Sequence, residues 1–155
     1  MTPQEFAELL APITQWIGDR PLDDGLDADL NRAFPADGWL FRAVVDACHA
    51  AIAAGWMCNR EGGGIKYGQV VKPSVASQGF SVDVVAMENL AGPHHRHPNG
   101  EIDLIMPEST SATFDGRGAG WLVYGPGSAH RPTVTGGKAL VLYLLPQGAI
   151  EFSGA

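Results

Sequence analysis

His94-His95-Arg96-His97-Pro98-Asn99-Gly100-Glu101 gathers metal-binding side chains around a turn. Pro126-Gly127-Ser128-Ala129-His130 lies further on, and together the two stretches hold four of the chain's five histidines. Side chains alternate faces along a strand, so His95 and His97 point one way and Arg96 the other. His94 is out of phase with His95 and falls on the side of Arg96. Pro98-Asn99-Gly100 reads as a turn, and Asn-Gly is a strong hairpin signal. Glu101 then begins a returning strand and can face the same side as the two histidines. His130 follows the Gly125-Pro126-Gly127 turn on a distant strand, and closure of the sheet brings it opposite the others. Neutral imidazole and carboxylate suit Fe, Mn, Ni, Cu or Zn. One divalent transition metal ion is therefore expected on His95, His97, Glu101 and His130, with positions left for substrate or water. An exposed His/Arg turn would supply the same histidines without chemistry, but it would not place Glu101 and His130.

The chain on either side divides near Gly55. Before it the pattern is helical. Thr2 and Glu5 fit a capping box with Pro3 at the first helical position. Phe6, Leu9, Leu10, Ile13 and Trp16 then recur at helical spacing up to Gly18. Asp27 is expected to cap a short helix that carries Leu30, Ala33 and Phe34 and stops at Pro35. Asp37 is expected to cap the longest helix, with Leu40, Ala43, Val44, Ala47, Cys48, Ala51 and Ile52 as its buried stripe and Gly55 as C-cap. Trp16, Trp39 and Trp56 read as packing anchors.

After Gly55 short β-rich runs alternate with Gly, Pro, Asn and Ser. Strands are expected near Trp56–Asn59, Ile65–Val71, Phe80–Met87, His94–His97, Glu101–Met106, Ala112–Phe114, Trp121–Tyr124, His130–Thr133, Lys138–Leu145 and Ile150–Phe152. No helix-sized stretch interrupts them, which argues for a sandwich or barrel rather than a parallel sheet. The fold class is mainly β. Residues 1–55 read as a helical segment whose apolar stripes are buried on the barrel or on a partner subunit, so a homodimer is expected. Residues 56–155 read as the barrel. Ala139-Leu140-Val141-Leu142-Tyr143-Leu144-Leu145 is apolar on both faces and suits a strand covered on both sides.

Composition narrows the function. The 155 residues carry 10 Lys plus Arg against 17 Asp plus Glu, a net charge of −7, with no basic cluster. This argues against nucleic acid as a partner. No apolar run of about 18 residues exists to span a membrane. The start, Met1-Thr2-Pro3-Gln4-Glu5, lacks the features of a secretion signal. Cys48 and Cys58 suit buried thiols in a reducing cytoplasm.

His95-x-His97-x-x-x-Glu101 resembles the first cupin motif, and Gly127-x-x-His130 resembles the end of the second. Gly125, Val134 and Glu108 depart from the usual pattern, all at turn positions rather than in the ligand set. The resemblance implies a small double-stranded β-barrel, or jelly roll, with His95, His97, Glu101 and His130 as metal ligands. A wider set of features is similar to the 4-hydroxylaminobenzoate lyase family: the helical N-terminal segment, Ile65-Lys66-Tyr67-Gly68, Gly92 to Ile102, and Gly120 to Pro132. That similarity implies a metal-dependent lyase that converts 4-hydroxylaminobenzoate to 3,4-dihydroxybenzoate (protocatechuate) and ammonia in nitroaromatic degradation. The ligand set alone also fits a dioxygenase, an isomerase or a non-catalytic small-molecule-binding cupin.

Such a substrate is a small aromatic carboxylate and calls for a cation and a ring wall. Arg60, Lys66 and Tyr67 are the candidates. Lys66 and Tyr67 share a strand, so only one faces inward. Arg60 borders Gly62-Gly63-Gly64, which reads as a flexible loop able to act as a lid. Arg131 alternates with His130 and points out of the barrel. Glu101 is the candidate catalytic residue, either as a permanent ligand or as a group that detaches and moves protons.

Overall fold

The computed structural model describes residues 1–153. Three helices precede the strands: α1 (Pro3–Ile17), α2 (Asp24–Ala33) and α3 (Trp39–Ala54). The strands are β1 (Arg60–Gly62), β2 (Ile65–Val71), β3 (Phe80–Ala91), β4 (His95–His97), β5 (Glu101–Pro107), β6 (Thr113–Phe114), β7 (Gly120–Tyr124), β8 (Ser128–His130), β9 (Thr133–Pro146) and β10 (Glu151–Phe152). One sheet runs β1-β2-β3-β9-β5-β7, with β6 paired to β9, and a smaller sheet runs β10-β4-β8. Every pairing is antiparallel. The two sheets face one another across a cavity lined from both, as a small cupin-type jelly roll requires.

Alternation along the strands separates two apolar layers. Val82, Val84, Ile102, Leu104, Leu140, Leu142 and Leu144 turn outward and pack with Phe6, Ile13, Leu30 and Val44 of the helices. Met87, Ile105, Leu122, Val134 and Val141 turn inward. The double-sided apolar run in β9 is thus covered on both faces, as its sequence indicates. The helical stripes are buried against the large sheet of the same chain.

The α1 capping box forms, with the Glu5 amide 3.2 Å from Thr2 Oγ1 and the Thr2 amide 3.0 Å from Glu5 Oε1. Gly55 closes α3 in the left-handed region at φ 89°. Two expected caps are corrected. Asp23, not Asp27, caps α2, accepting from the Leu26 amide at 2.9 Å. Gly38, not Asp37, precedes α3, with no side-chain cap. Trp39 is also no anchor: it is 76% exposed.

Asp27 has a different task. With Asn31 it seals the edge of β7, where backbone groups would otherwise be left unpaired. Asn31 Nδ2 donates to the Trp121 carbonyl at 2.9 Å, and the Trp121 amide donates to Asn31 Oδ1 at 2.8 Å. The Val123 amide donates to Asp27 Oδ2 at 2.8 Å, and Arg117 Nη1 to Asp27 Oδ1 at 2.8 Å. Only glycine fits at position 120, because a Cβ there would lie 2.6 Å from Asn31 Oδ1. Asp27→Ala leaves the buried Val123 amide without its acceptor. We expect it to cost about 2 kcal/mol in urea unfolding with an unchanged m-value. Wild-type stability in this variant would contradict the edge seal.

Strand limits differ from expectation for local reasons. Trp56–Asn59 is not a strand, because Met57 and Cys58 turn into the core with Cys58 at φ 53°. β3 continues past Met87 through a bulge at Asn89, whose φ is 44°. The strand expected at His130–Thr133 lies earlier, at Ser128–His130, because Pro132 has no N–H for a ladder. Gly62-Gly63-Gly64 is no irregular loop. Gly62 pairs with Ile65, and Gly63 and Gly64 make a two-residue hairpin turn with φ of 59° and 83°.

Candidate metal centre and cavity

His95 and His97 lie on β4, with His130 directly across from His95 on β8 and Ser128 across from His97. All three histidines therefore belong to the small sheet. Glu101 comes from the large sheet, so Pro98-Asn99-Gly100 passes the chain between sheets and does not close a hairpin. Gly100 is required there: its φ is 87°, and a Cβ would lie 2.7 Å from the Tyr124 carbonyl.

The outer nitrogen of each imidazole is occupied. His95 Nδ1 lies 3.2 Å from the Pro93 carbonyl, His97 Nδ1 3.0 Å from Ser128 Oγ, and His130 Nδ1 2.6 Å from Asp115 Oδ2. Such bonds orient the ring and leave Nε2 to point inward. Glu101 Oε2 lies 3.2 Å from His97 Nε2 and 3.6 Å from His130 Nε2, while Oε1 lies 4.0 Å from His95 Nε2. One donor atom from each of the four residues falls within 4.8 Å of the others. His97 Nε2 is buried without a hydrogen-bond partner. An orphaned buried nitrogen facing a carboxylate and two further imidazoles is costly in a bare protein and suits a shared cation. The group can hold a metal ion.

Asp115 was not anticipated. It follows β6 at φ 49° and reads locally as part of an Asp-Gly turn. It accepts from Tyr124 Oη at 2.5 Å and from the Thr133 amide at 2.9 Å, as well as meeting His130. Burial works to raise its pKa, but the His130, Tyr124 and Thr133 hydrogen bonds outweigh burial and hold it below the usual range. His95 is lowered, chiefly by burial and opposed by Glu101.

The centre opens into a cavity of about 420 Å³. Ile65, Val85, Met87, Phe114 and Val141 make much of its wall, and Asp103 and Tyr143 add polar groups. Asp103 is two residues beyond Glu101 on the same strand face. It is 1% exposed, it neighbours Glu101, and its Oδ2 has no hydrogen-bond partner. Burial, then the Glu101 charge, push its carboxyl well above the usual range. Asp103 aligns across strands with Tyr143, Tyr143 with Asp83, and Asp83 with Gln69. Asp83 accepts from Tyr143 Oη at 3.4 Å. A sequence signal for this row existed: single acids in the apolar runs Phe80–Val85 and Ile102–Met106.

Asp83 offers a pH test. Burial raises it from 3.8 to about 6, with the Tyr143 bond opposing and the Glu101 charge adding. Between those values the folded chain keeps a proton that the unfolded chain has released, so stability falls as pH rises through that window. Asp83→Asn removes that dependence. Its melting temperature is expected to gain on the wild type from pH 4 to pH 7. A difference that stays constant over that range would remove the basis for the shift.

Tyr67 lines the cavity, at 39% exposure. Lys66 alternates with it, aligns with the outward-facing Ala86, and is exposed outside the cavity. Arg60 is exposed and aligns with Tyr67 across the β1–β2 hairpin, without lining the cavity. No Lys or Arg lines the cavity among the described residues. Arg131 is exposed and bonds the Gly92 carbonyl at 3.3 Å.

Similarity to known proteins now adds to this geometry. The profile of the family described as PnbB: 4-hydroxylaminobenzoate lyase matches residues 8–152. The chain belongs to this 4-hydroxylaminobenzoate lyase family. Two members give the range. A 4-hydroxylaminobenzoate lyase of Nocardioides sp. (strain LMS-CY) is 28% identical, over 97% of this chain and 95% of that protein. A 4-hydroxylaminobenzoate lyase of Pseudomonas putida is 26% identical, over 88% and 87%. Among solved structures, DMSP lyase DddQ from Ruegeria pomeroyi DSS-3 shares the fold at a TM-score of 0.53. Its identity is 18%, over 96% of this chain and 95% of that one. The family match spans both the helices and the barrel. No helix among the described residues is long and apolar enough to cross a membrane.

Proposed function

We propose that this lyase-family chain converts 4-hydroxylaminobenzoate and water to 3,4-dihydroxybenzoate and ammonia, as in the breakdown of nitroaromatic compounds. The observation that carries the reading is the family match over residues 8–152, which includes all four residues of the His/Glu cluster. The N–O and C–N bonds break and two C–O bonds form. A ring carbon is oxidised as the nitrogen is reduced, so no outside oxidant is needed.

His95, His97, Glu101 and His130 would hold one divalent transition ion, of the Fe, Mn, Ni, Cu or Zn type. When bound, it supplies Lewis acidity toward an oxygen of substrate or water. The other roles belong to the chain. The apolar walls take the ring and keep bulk water from the reacting end. Tyr67 flanks the ring, and Arg60 at the rim meets the carboxylate, whereas Lys66 is turned away. Asp103, kept neutral by burial, donates a proton to the departing hydroxyl, which leaves as water. Glu101, two residues before Asp103 on the same strand face, combines its ligand role with catalysis by taking a proton from the adding water and passing it to Asp103. Water adds to the ring carbon beside the C–N bond. Hydrolysis of the resulting imine-like carbon then releases ammonia.

Residues 1–55 serve in this reading as a cover for the large sheet, not as an independent domain. The setting is the cytoplasm, in keeping with two free buried thiols that burial raises to about 12 for Cys48 and about 11 for Cys58. A homodimer belongs to the same reading, and its support is now the exposed Trp39 rather than the helical stripes.

The test is incubation with 4-hydroxylaminobenzoate under oxygen-free conditions, with metal analysis of the same preparation. Ammonia and dihydroxybenzoate should appear in equal amounts in step with metal content. A reaction that stops without oxygen would indicate a dioxygenase instead.

A further inference from the structure

His94 and Arg96 flank His95 at the start of the ligand motif yet point away from the metal centre. Both are spent on β10 and the residue that follows it. Arg96 Nη1 lies 3.4 Å from Glu151 Oε1, and these residues align across β4 and β10. His94 Nδ1 lies 3.0 Å from Ser153 Oγ, and the Ser153 amide donates to the His94 carbonyl at 3.1 Å. β10 is two residues long and pairs only with β4 among the described residues. Glu151 and Ser153 are thus fastened on the outer side, and alternation sends Phe152 to the cavity side. Phe152 aligns with the ligand His95, with ring centroids 5.6 Å apart in an edge contact.

Phe152 lines the cavity but is 61% exposed. A strand fastened by two outer residue pairs thus carries a large apolar ring held at the cavity mouth with much of its face uncovered. Tyr67 lines the same cavity from the opposite sheet and is also partly uncovered. A flat aromatic molecule is the occupant that covers both rings, since aromatic rings gain from edge and offset-stacked contact beyond simple burial.

We propose that Phe152 is a specificity-determining residue that packs on the substrate ring opposite Tyr67, and that His94, Arg96, Glu151 and Ser153 are positioning residues for it. This rests on the lyase reading for its substrate class.

The experiment measures affinity for 4-aminobenzoate, which lacks the departing hydroxyl, by calorimetry on metal-loaded protein, alongside KM and kcat for 4-hydroxylaminobenzoate. Phe152→Ala should weaken binding and raise KM about tenfold, with metal content unchanged and kcat within about twofold. Phe152→Tyr should stay near wild type. Glu151→Arg should raise KM about threefold, and adding Arg96→Glu should restore it. Unchanged affinity and KM in Phe152→Ala would overturn the inference. So would a change of oligomer mass with unchanged affinity, which would assign the exposed ring to packing between copies. A wild type that binds 4-aminobenzoate through Phe152 but does not turn over would sink the lyase reading and keep the clamp. A wild type that neither binds 4-aminobenzoate nor turns over 4-hydroxylaminobenzoate would overturn both.

Discussion

His97→Ala is expected to lose bound metal and to lower kcat by about a thousandfold or more, the scale on which a polarising ion contributes to such chemistry. His97 is the strongest test of the centre because it has no other use. Its ring is 0% exposed, Nδ1 is tied to Ser128, and Nε2 faces Glu101 with no hydrogen-bond partner. A core histidine of purely structural role would have both nitrogens satisfied. Ser128→Ala keeps the ligand but frees the ring, and a loss of about 10- to 100-fold in metal affinity is expected from it. Elemental analysis and ammonia release, read together with circular dichroism to confirm folding, separate these outcomes. His97→Ala with full metal and full turnover would show that the cluster is not the centre. Glu101→Gln with both retained would likewise remove Glu101 as ligand and as proton carrier.

What could be read from the chain follows how local each cause is. His95-x-His97 needs only the two-residue period of a strand, and the observed three-residue β4 obeys it. The Thr2/Glu5 box and the Gly55 cap are likewise closed within a few residues. Asn99-Gly100 marked the turn correctly, yet a turn signal reports backbone reversal and positive φ, not which strand the chain joins next. That partner is set by sheet closure, which put Glu101 opposite the histidines from the other sheet. Asp27 failed as a cap because its true partners, Val123 and Arg117, lie 96 and 90 residues further along the chain. Asp115 had no local signal for the same reason. Its value lies in the bond to His130, which exists only once β8 is in place.

Asp103→Asn is expected to lower kcat about hundredfold while metal content stays at the wild-type level, a loss typical of a missing general acid. Asn keeps the shape and one carbonyl oxygen but carries no acidic proton. Asp103 is an expensive residue to keep. It is buried among apolar neighbours on β5, one oxygen has no partner, and Glu101 lies two residues away on the same strand face. A raised carboxyl means that, above the ordinary carboxylate range, the folded chain holds a proton more tightly than the unfolded chain. That retention costs stability at neutral pH and costs nothing below the ordinary carboxylate range. Asp103→Asn is therefore expected to melt at or above the wild-type temperature at pH 7. Loss of rate with gain of stability is the pattern of a residue placed for chemistry rather than packing. A variant that keeps its rate would leave the proton to Glu101 alone. A variant that loses both rate and stability would make Asp103 a structural member of the Asp83–Tyr143–Asp103 row.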